Sequence, residues 1–354
     1  MDSASACLDF AVIGHQDSWE NIMVFFNGLR TADQEKLPVE KIKPTYSFIP
    51  PRDVFKVRVK SATGTEINGV YIETFIDPDK LDMSFVSTNI KKVKNAMSWS
   101  QKLGAGVVTL GGFTSIVLEG NLGLSDDLSA KYTTGNALTS AYIVKALEKA
   151  ALQTGIFLEH ANILVIGATG DIGAACVEYL KNKVQKLLLC ARNNHRLEKL
   201  SRRLIKENIQ VSYGTSLDEL VPEADIIICV ASSTGLKLTN CKKNVLICDA
   251  GYPKNLDAII GDDNGVFLFH GGMGQVSCGF DFMPDYSKHM YQFEAPYIIH
   301  GCILEAMVLA FEKRFENYST GKGNISVDKM EEIYGLSLRH GIDIAPFYNA
   351  KGLW

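Results

Sequence analysis

The chain has 354 residues, 46% of them hydrophobic and 21% charged, with a formal net charge of −4. That length is too great for one ordinary core and suits two domains, and the small negative charge excludes a global pull toward nucleic acid or anionic membrane. Eight cysteines are scattered without a C-x-x-C pair or a Cys/His spacing that suits zinc, so a reduced cytosolic protein with no protein-held metal is expected rather than a disulfide framework. The start, Met1-Asp-Ser-Ala-Ser5, lacks a basic n-region and an apolar h-region, and no apolar run reaches the ~18 residues of a spanning helix. A cytoplasmic location with no transmembrane segment follows as the expectation.

In chain order, residues 10–13 read as a short strand ahead of Gly14-His15, followed by a helix from Ser18 and proline-bearing turns at Pro38, Pro44 and Pro50-Pro51. Alternation over residues 54–75, with Thr63-Gly64 and Asn68-Gly69 as turn signals, predicts a strand hairpin. Residues 80–103 read as helical and 104–118 as a buried apolar strand. Residues 1–130 thus form an N-terminal α/β domain for substrate or partner that is not itself a nucleotide fold. A helix over 139–154 leads into a second domain, 131–290, where short apolar strands at 162–166, 186–191, 224–230, 244–249 and 266–269 alternate with helices. That pattern predicts a Rossmann-type, doubly wound parallel sheet with its ligand at the carboxyl ends of the strands. Helices over 296–316 and 326–339 make a C-terminal helical segment, 291–354, and the fold class of the whole is α/β.

The strongest local signal is Gly167-Ala-Thr-Gly-Asp-Ile-Gly173, entered by the apolar run Asn162-Ile-Leu-Val-Ile166 and followed by a helical pattern. Bare glycines let a pyrophosphate approach the backbone, and the next helix presents free N–H groups and a positive dipole end. The candidate phosphate contacts are Gly167, Thr169, Gly170, Asp171, Ile172 and Gly173. The next apolar run ends in Arg192-Asn193, where an NAD site places an acid, and Arg196 lies one helical turn on. Guanidinium groups there suit a 2′-phosphate, so NADPH is expected over NADH. The loops Ala231-Ser-Ser-Thr-Gly235 and Ala250-Gly-Tyr-Pro-Lys254 stand at strand ends, and Ala231, Ser232 and Gly251 are read as facing the cofactor.

A reductase acting on a thioester needs a nucleophile, and cysteine forms a new thioester at little thermodynamic cost. Cys176, Cys190, Cys229 and Cys248 lie in apolar elements and read as core, and Cys7 and Cys241 lie in surface-like stretches. Spacing leaves Cys278, in a glycine-rich stretch, and Cys302, expected in the first turns of a helix opened by Pro296, where the dipole favours thiolate. His300 is a weak acid/base partner for it, since i and i+2 do not face each other on a helix.

Several longer segments carry a family resemblance: Phe10-Ala-Val-Ile-Gly-His15, Leu110-Gly-Gly-Phe-Thr-Ser115, Thr133-Thr-Gly-Asn136, the 167–173 glycine loop, Ala191-Arg-Asn193, Asp249-Ala-Gly-Tyr-Pro-Lys-Asn-Leu256, and Cys302 through Glu305-Ala-Met307 to Asn324-Ile-Ser326 and Lys329-Met330. In these the chain resembles the long-chain fatty acyl-acyl carrier protein reductases, the cyanobacterial-type enzymes that make fatty aldehydes for alkane synthesis. The resemblance implies that Cys302 accepts the acyl group, that NADPH reduces it to a fatty aldehyde, and that the donor is an acyl carrier protein or CoA thioester. It also implies an aldehyde-consuming enzyme as a further partner, and no nucleic acid. Where the family tends to carry a His soon after Thr133-Thr-Gly-Asn136, this chain reads Ala137-Leu138-Thr139, which leaves the acid/base residue unassigned. The lysines of Lys91-Lys-Val-Lys94, with Lys102, suggest a face for an acidic carrier. The competing readings are a reductase of another acyl or carbonyl substrate and a non-catalytic NADPH sensor.

Overall fold

The computed structural model describes residues 8–28, 30–31, 33–81, 83–115, 130–256, 265–285, 295–320 and 323–354. The chain folds as two compact units: Met1–Gly135 with Val276–Asn324 and Leu336–Ile342, and Asn136–Gln275 with Ile325–Gly335 and Asp343–Trp354.

The first unit is built on a six-stranded sheet of β1 (Phe10–Gly14), β2 (Arg52–Lys60), β3 (Glu66–Glu73), β4 (Val107–Leu110), β5 (Lys131–Thr133) and the strand Phe280–Met283. The order is Phe280–Met283, β2, β3, β1, β4, β5. β1 runs parallel to both neighbours, with Val12 opposite Tyr71 and Thr109, and β5 runs parallel to β4. β2 and β3 form the expected antiparallel hairpin, and Phe280–Met283 adds to its open edge. Gly69 is required at the centre of this sheet: a Cβ there would stand 2.2 Å from the Phe10 ring. One face buries Ile13, Ile72, Val108 and Leu110 against Val93, Ala96 and Met97 of the helix Val86–Lys102.

The second unit is the doubly wound parallel sheet read from the sequence. Its strands are β6 (Asn162–Ile166), β7 (Lys186–Cys190), β8 (Val211–Gly214), β9 (Ile226–Cys229), β10 (Leu246–Asp249) and β11 (Phe267–His270), in the order β11, β10, β9, β6, β7, β8. Neighbouring strands are parallel throughout. Buried runs such as Ile226–Cys229 are apolar on both faces, as helix-covered parallel strands require. The edge strand β8 escaped the sequence reading because its four residues carry no apolar run.

Several boundaries differ from expectation. The strand read over 104–118 ends at Leu110, since Gly112 takes a φ of +58° and a 3-10 turn follows over Gly112–Ser115; residues 116–118 lie outside the described ones. The helix read over 296–316 spans Gly301–Phe311, because Tyr297 has a φ of +60° and Ile298–His300 is extended. Pro296 therefore does not open it. Residues 131–133 pair with β4, so the first unit runs on to Gly135. Nor does 291–354 stand apart: its first helix lies in the first unit, and its last residues cover β11 of the second, where Asn349 Nδ2 and Trp354 Nε1 donate to the Leu268 carbonyl.

Candidate active site

Parallel strands bring their carboxyl ends to one edge of each sheet, where open α/β sheets hold ligands. In the first unit those ends are Gly14, Glu73, Leu110 and Thr133. Cys302 joins them as the second residue of its helix, after the N-cap His300.

Two glycines make room for Cys302. A Cβ on Gly111 would stand 2.7 Å from its Sγ, and a Cβ on Gly135 would stand 2.1 Å from its Cα and 2.4 Å from its carbonyl oxygen. Thr109 Oγ1 donates to that same carbonyl at 2.7 Å, which fixes the backbone that carries the sulfur. One turn on, the buried Glu305 carboxylate accepts from Thr133 Oγ1. Thr133 Oγ1 in turn accepts from the backbone N–H groups of Gly135 and Ser319, each at 3.1 Å. The segment Thr133-Thr-Gly135 is thus locked beneath the cysteine helix.

The expected thiolate is not what this environment favours at rest. Burial pushes the Cys302 thiol up to about 12; the Ile303 and Cys302 backbone N–H groups oppose that shift and the Glu305 charge adds to it. The helix end acts in the direction the sequence suggested, and desolvation outweighs it. His300 occupies the N-cap position without a side-chain cap bond. Cys278 is exposed, Cys241 half-buried, the four core cysteines are buried, and Cys7 lies outside the described residues.

Beside Cys302 the helix residues Ile303 and Met307 close an apolar cavity of about 10 Å³ over Val12, Val57, Phe55 and Tyr71. The Phe55 and Tyr71 rings stack at 4.8 Å, and Phe282 meets Phe55 edge-on at 5.0 Å. At the rim Tyr71 donates to Glu73 Oε2 at 3.2 Å, Gln16 Nε2 donates to the same oxygen at 3.2 Å, and the Phe75 N–H donates to Oε1 at 3.0 Å. Burial nevertheless raises the Glu73 carboxyl to about 7, because those bonds only partly replace water. The unfolded chain then holds fewer protons than the folded one between pH 4.5 and 7, so this group withdraws stability as pH rises through that window. Glu73→Gln is expected to be more stable than wild type at pH 8, by about 3 kcal/mol, and to lose the advantage near pH 4. Urea unfolding at the two pH values checks this.

In the second unit the glycine loop meets the demands of a dinucleotide. Gly167 has a φ of +92°, and a Cβ there would stand 2.6 Å from the Val230 carbonyl oxygen; one on Gly173 would stand 2.2 Å from that of Gly167. The helix Asp171–Leu180 starts after Gly170 with no side-chain cap bond, and a helix N-terminus of this kind, beside Thr169 and Ile172, could hold an anion. The Asp171 carboxylate accepts from Asn136 Nδ2 at 3.2 Å. Arg192 and Arg196 are exposed beyond β7; Arg192 Nη2 donates to Ser232 Oγ at 2.7 Å, and Asn193 caps the next helix by accepting from the Arg196 N–H at 3.0 Å. Ala231 and Gly251 are tied by Asn255, whose Oδ1 accepts from the Ala231 N–H at 3.0 Å and whose side chain fills the space a Cβ on Gly251 would need. These two shape their loops, and the exposed guanidinium groups and the glycine backbone are the groups here that could hold a nucleotide phosphate.

A long-chain acyl-[acyl-carrier-protein] reductase of Synechococcus elongatus is 36% identical to this chain over 309 residues, covering 84% of this chain and 88% of that one. The chain belongs to that family. It is accordingly an oxidoreductase, and residues 148–270 also match the shikimate / quinate 5-dehydrogenase family, which assigns the second unit a nicotinamide dinucleotide. An aminotransferase PigE of a Serratia species is 25% identical over 82% of this chain, which spans about a third of that protein (34%). Shikimate 5-dehydrogenase of Listeria monocytogenes, solved with shikimate and NAD, is 13% identical over 55% of this chain and 62% of its own, with a TM-score of 0.31.

In this member of the family, the motifs that carry the resemblance have physical roles. Leu110-Gly-Gly and Thr133-Thr-Gly supply the two bare backbones against which Cys302 packs. Tyr71 and Glu73 do not stand out in the sequence because alternation already explains their strand, and Thr109 does not because it lies in a run read as a buried apolar strand. The lysine face is smaller than it reads: Lys92 turns inward, its Nζ donating to the carbonyls of Phe75 at 2.6 Å and of Ile49 and Thr74 at 3.3 Å, and burial pushes it down to about 8. Lys91 and Lys102 remain exposed. Among the described residues no helix is long and apolar enough to cross a membrane, and no group of three or more His, Cys, Asp or Glu could hold a metal.

Proposed function

We propose that this enzyme reduces a long-chain fatty acyl thioester, carried by acyl carrier protein or CoA, to the fatty aldehyde with NADPH, through an acyl group held on Cys302. The observation that carries the reading is the seat of Cys302 over Gly111 and Gly135 at the carboxyl end of a parallel sheet, in a chain so similar to a named acyl-[acyl-carrier-protein] reductase. The Cys302 sulfur attacks the thioester carbonyl and the carrier thiol leaves. The Thr109 bond holds the attacking residue still, and the N–H groups of the first helical turn are the donors that would meet the oxygen on which charge develops. NADPH, when bound, supplies the hydride that converts the acyl group to an aldehyde. The thioester to Cys302 then breaks and the cysteine is restored.

The apolar side chains of Val12, Val57, Ile303 and Met307 suit an alkyl chain, but their cavity is closed to about 10 Å³, so a long acyl chain enters by displacing the Phe55 and Phe282 rings. Lys91 and Lys102 offer an acidic carrier a docking face, and the reactive product calls for an aldehyde-consuming partner. A cytoplasmic location fits these roles. The test is stoichiometry: NADPH oxidised and long-chain aldehyde formed from a purified acyl thioester should match one for one. NADPH oxidation without aldehyde would sink the reading.

Coenzyme choice rests on Arg192 and Arg196. Arg192→Ala is expected to weaken NADPH about 10- to 100-fold while leaving NADH nearly unchanged, since only the former carries the phosphate that the guanidinium meets. Fluorescence titration with each coenzyme measures it.

A further inference from the structure

The proposed chemistry leaves one difficulty. A thiol held so far toward its neutral form needs a base, and the resemblance assigns none. Strand register supplies a candidate. Val12 stands opposite Tyr71 and Gly14 opposite Glu73, so all four project from one face of the sheet. A Cβ on Gly14 would stand 2.3 Å from the Tyr71 hydroxyl oxygen, which places the phenol tip directly over that glycine. On the other side of β1, Ile13 stands opposite Leu110, and the next residue on each strand is a glycine, Gly14 and Gly111. Thr114 ties these ends together by bonding the Ile13 carbonyl at 3.3 Å and the Gly111 carbonyl at 2.8 Å. Gly111 seats the Cys302 sulfur. Two neighbouring strand ends therefore carry the tyrosine oxygen and the cysteine sulfur, each packed on a bare glycine, and Tyr71 lines the same cavity as Ile303, the residue after Cys302; a shared water or a small side-chain movement would link them.

We propose that Tyr71 and Glu73 form the proton relay for Cys302. The inference rests on the reading of Cys302 as the acyl acceptor. As the sulfur attacks the thioester carbonyl, its proton passes to the Tyr71 oxygen while the Tyr71 proton passes to Glu73 Oε2. One S–H bond is lost, the O–H bond moves along the relay, an S–C bond forms, and the C–S bond to the carrier breaks. The proton returns by the same path to the departing carrier thiolate, so the half-reaction consumes none. Gln16 and the Phe75 N–H hold the carboxyl in place, and burial sets it near neutrality, where a relay base works best. The other carboxylate near the sulfur, Glu305, already accepts from Thr133.

The ionisable groups around Glu73 are Tyr71 on its own strand, Tyr46 at the end of the helix Val39–Tyr46, and Lys92 of the helix Val86–Lys102. Asp77 acts on Tyr46, and on the cysteine helix stand Cys302 and Glu305.

Acylation of the full chain by a long-chain acyl-CoA without NADPH, followed by rapid quench and intact mass, tests the relay. Tyr71→Phe keeps the ring stacked on Phe55 and is expected to acylate about 10²- to 10⁴-fold more slowly at pH 7. Glu73→Gln is expected to slow acylation similarly and to abolish the rise in rate that wild type shows as pH increases through 7. Acylation of Tyr71→Phe within threefold of wild type, or an unchanged pH profile in Glu73→Gln, would overturn the relay. A loss of thermal stability with wild-type profile in both variants would make the pair structural and overturn it equally. If wild type itself forms no adduct, the Cys302 reading falls and the relay with it; if wild type and Tyr71→Phe acylate alike, only the relay falls.

Discussion

Cys302→Ala is expected to remain folded and to lower kcat/KM for aldehyde formation at least ~10⁴-fold. The fold should survive because alanine is the best helix former and a smaller side chain meets no clash at the bare face of Gly111. Activity should not, because among the described residues no other cysteine stands on that edge of the sheet: the core cysteines are buried in strands or helices and Cys278 is exposed elsewhere. Cys302→Ser should also fall steeply, since a hydroxyl in the same desolvated seat ionises still less readily. Steady-state kinetics beside circular dichroism separates lost chemistry from lost fold. Cys302→Ala turnover within tenfold of wild type would remove the covalent step.

Gly135→Ala is expected to cost about 3 kcal/mol or more and to abolish acylation together with stability. Its φ of +72° already disfavours a side chain, and the new Cβ would lie 2.1 Å from the Cys302 Cα, so the cysteine backbone itself must move. Neither side yields easily: Thr133 holds the Gly135 N–H at 3.1 Å, and Thr109 holds the Cys302 carbonyl at 2.7 Å. Gly104→Ala is the matched control. Gly104 has a φ of +75° with nothing within 4 Å of its Cβ position, so it should show the conformational cost alone, about 1 kcal/mol. Denaturant unfolding of the two variants measures the difference; equal losses would show that Cys302 is not held by Gly135.

Much of this was legible in the sequence, and the parts that were not failed for identifiable reasons. The second unit declared itself because parallel strands buried on both faces are short unbroken apolar runs, and because Gly167 and Gly173 are required by backbone contacts that no other residue permits. The start of the cysteine helix was misplaced because Pro296 is an ordinary first-turn residue, while the left-handed Tyr297 and the extended Ile298–His300 follow from tertiary packing. Strand β5 was missed for its length, three residues. At the site, Cys302 stood out among eight cysteines only through resemblance. What surrounds it comes from four separated stretches, at 14–16, 71–73, 109–111 and 133–135, and strand register alone brings these to one edge. The ionisation state of the thiol was the clearest miss: helix position is visible in a sequence, and desolvation is not.

The proposed chemistry turns on Cys302 carrying the acyl group. Intact mass spectrometry of the purified enzyme, incubated with a long-chain acyl thioester in the absence of NADPH, tests it most directly. A single acyl adduct on wild type, absent from Cys302→Ala and discharged as aldehyde when NADPH is added, is the predicted result. An adduct that persists in Cys302→Ala, or none on a wild-type enzyme that still turns over, would contradict it.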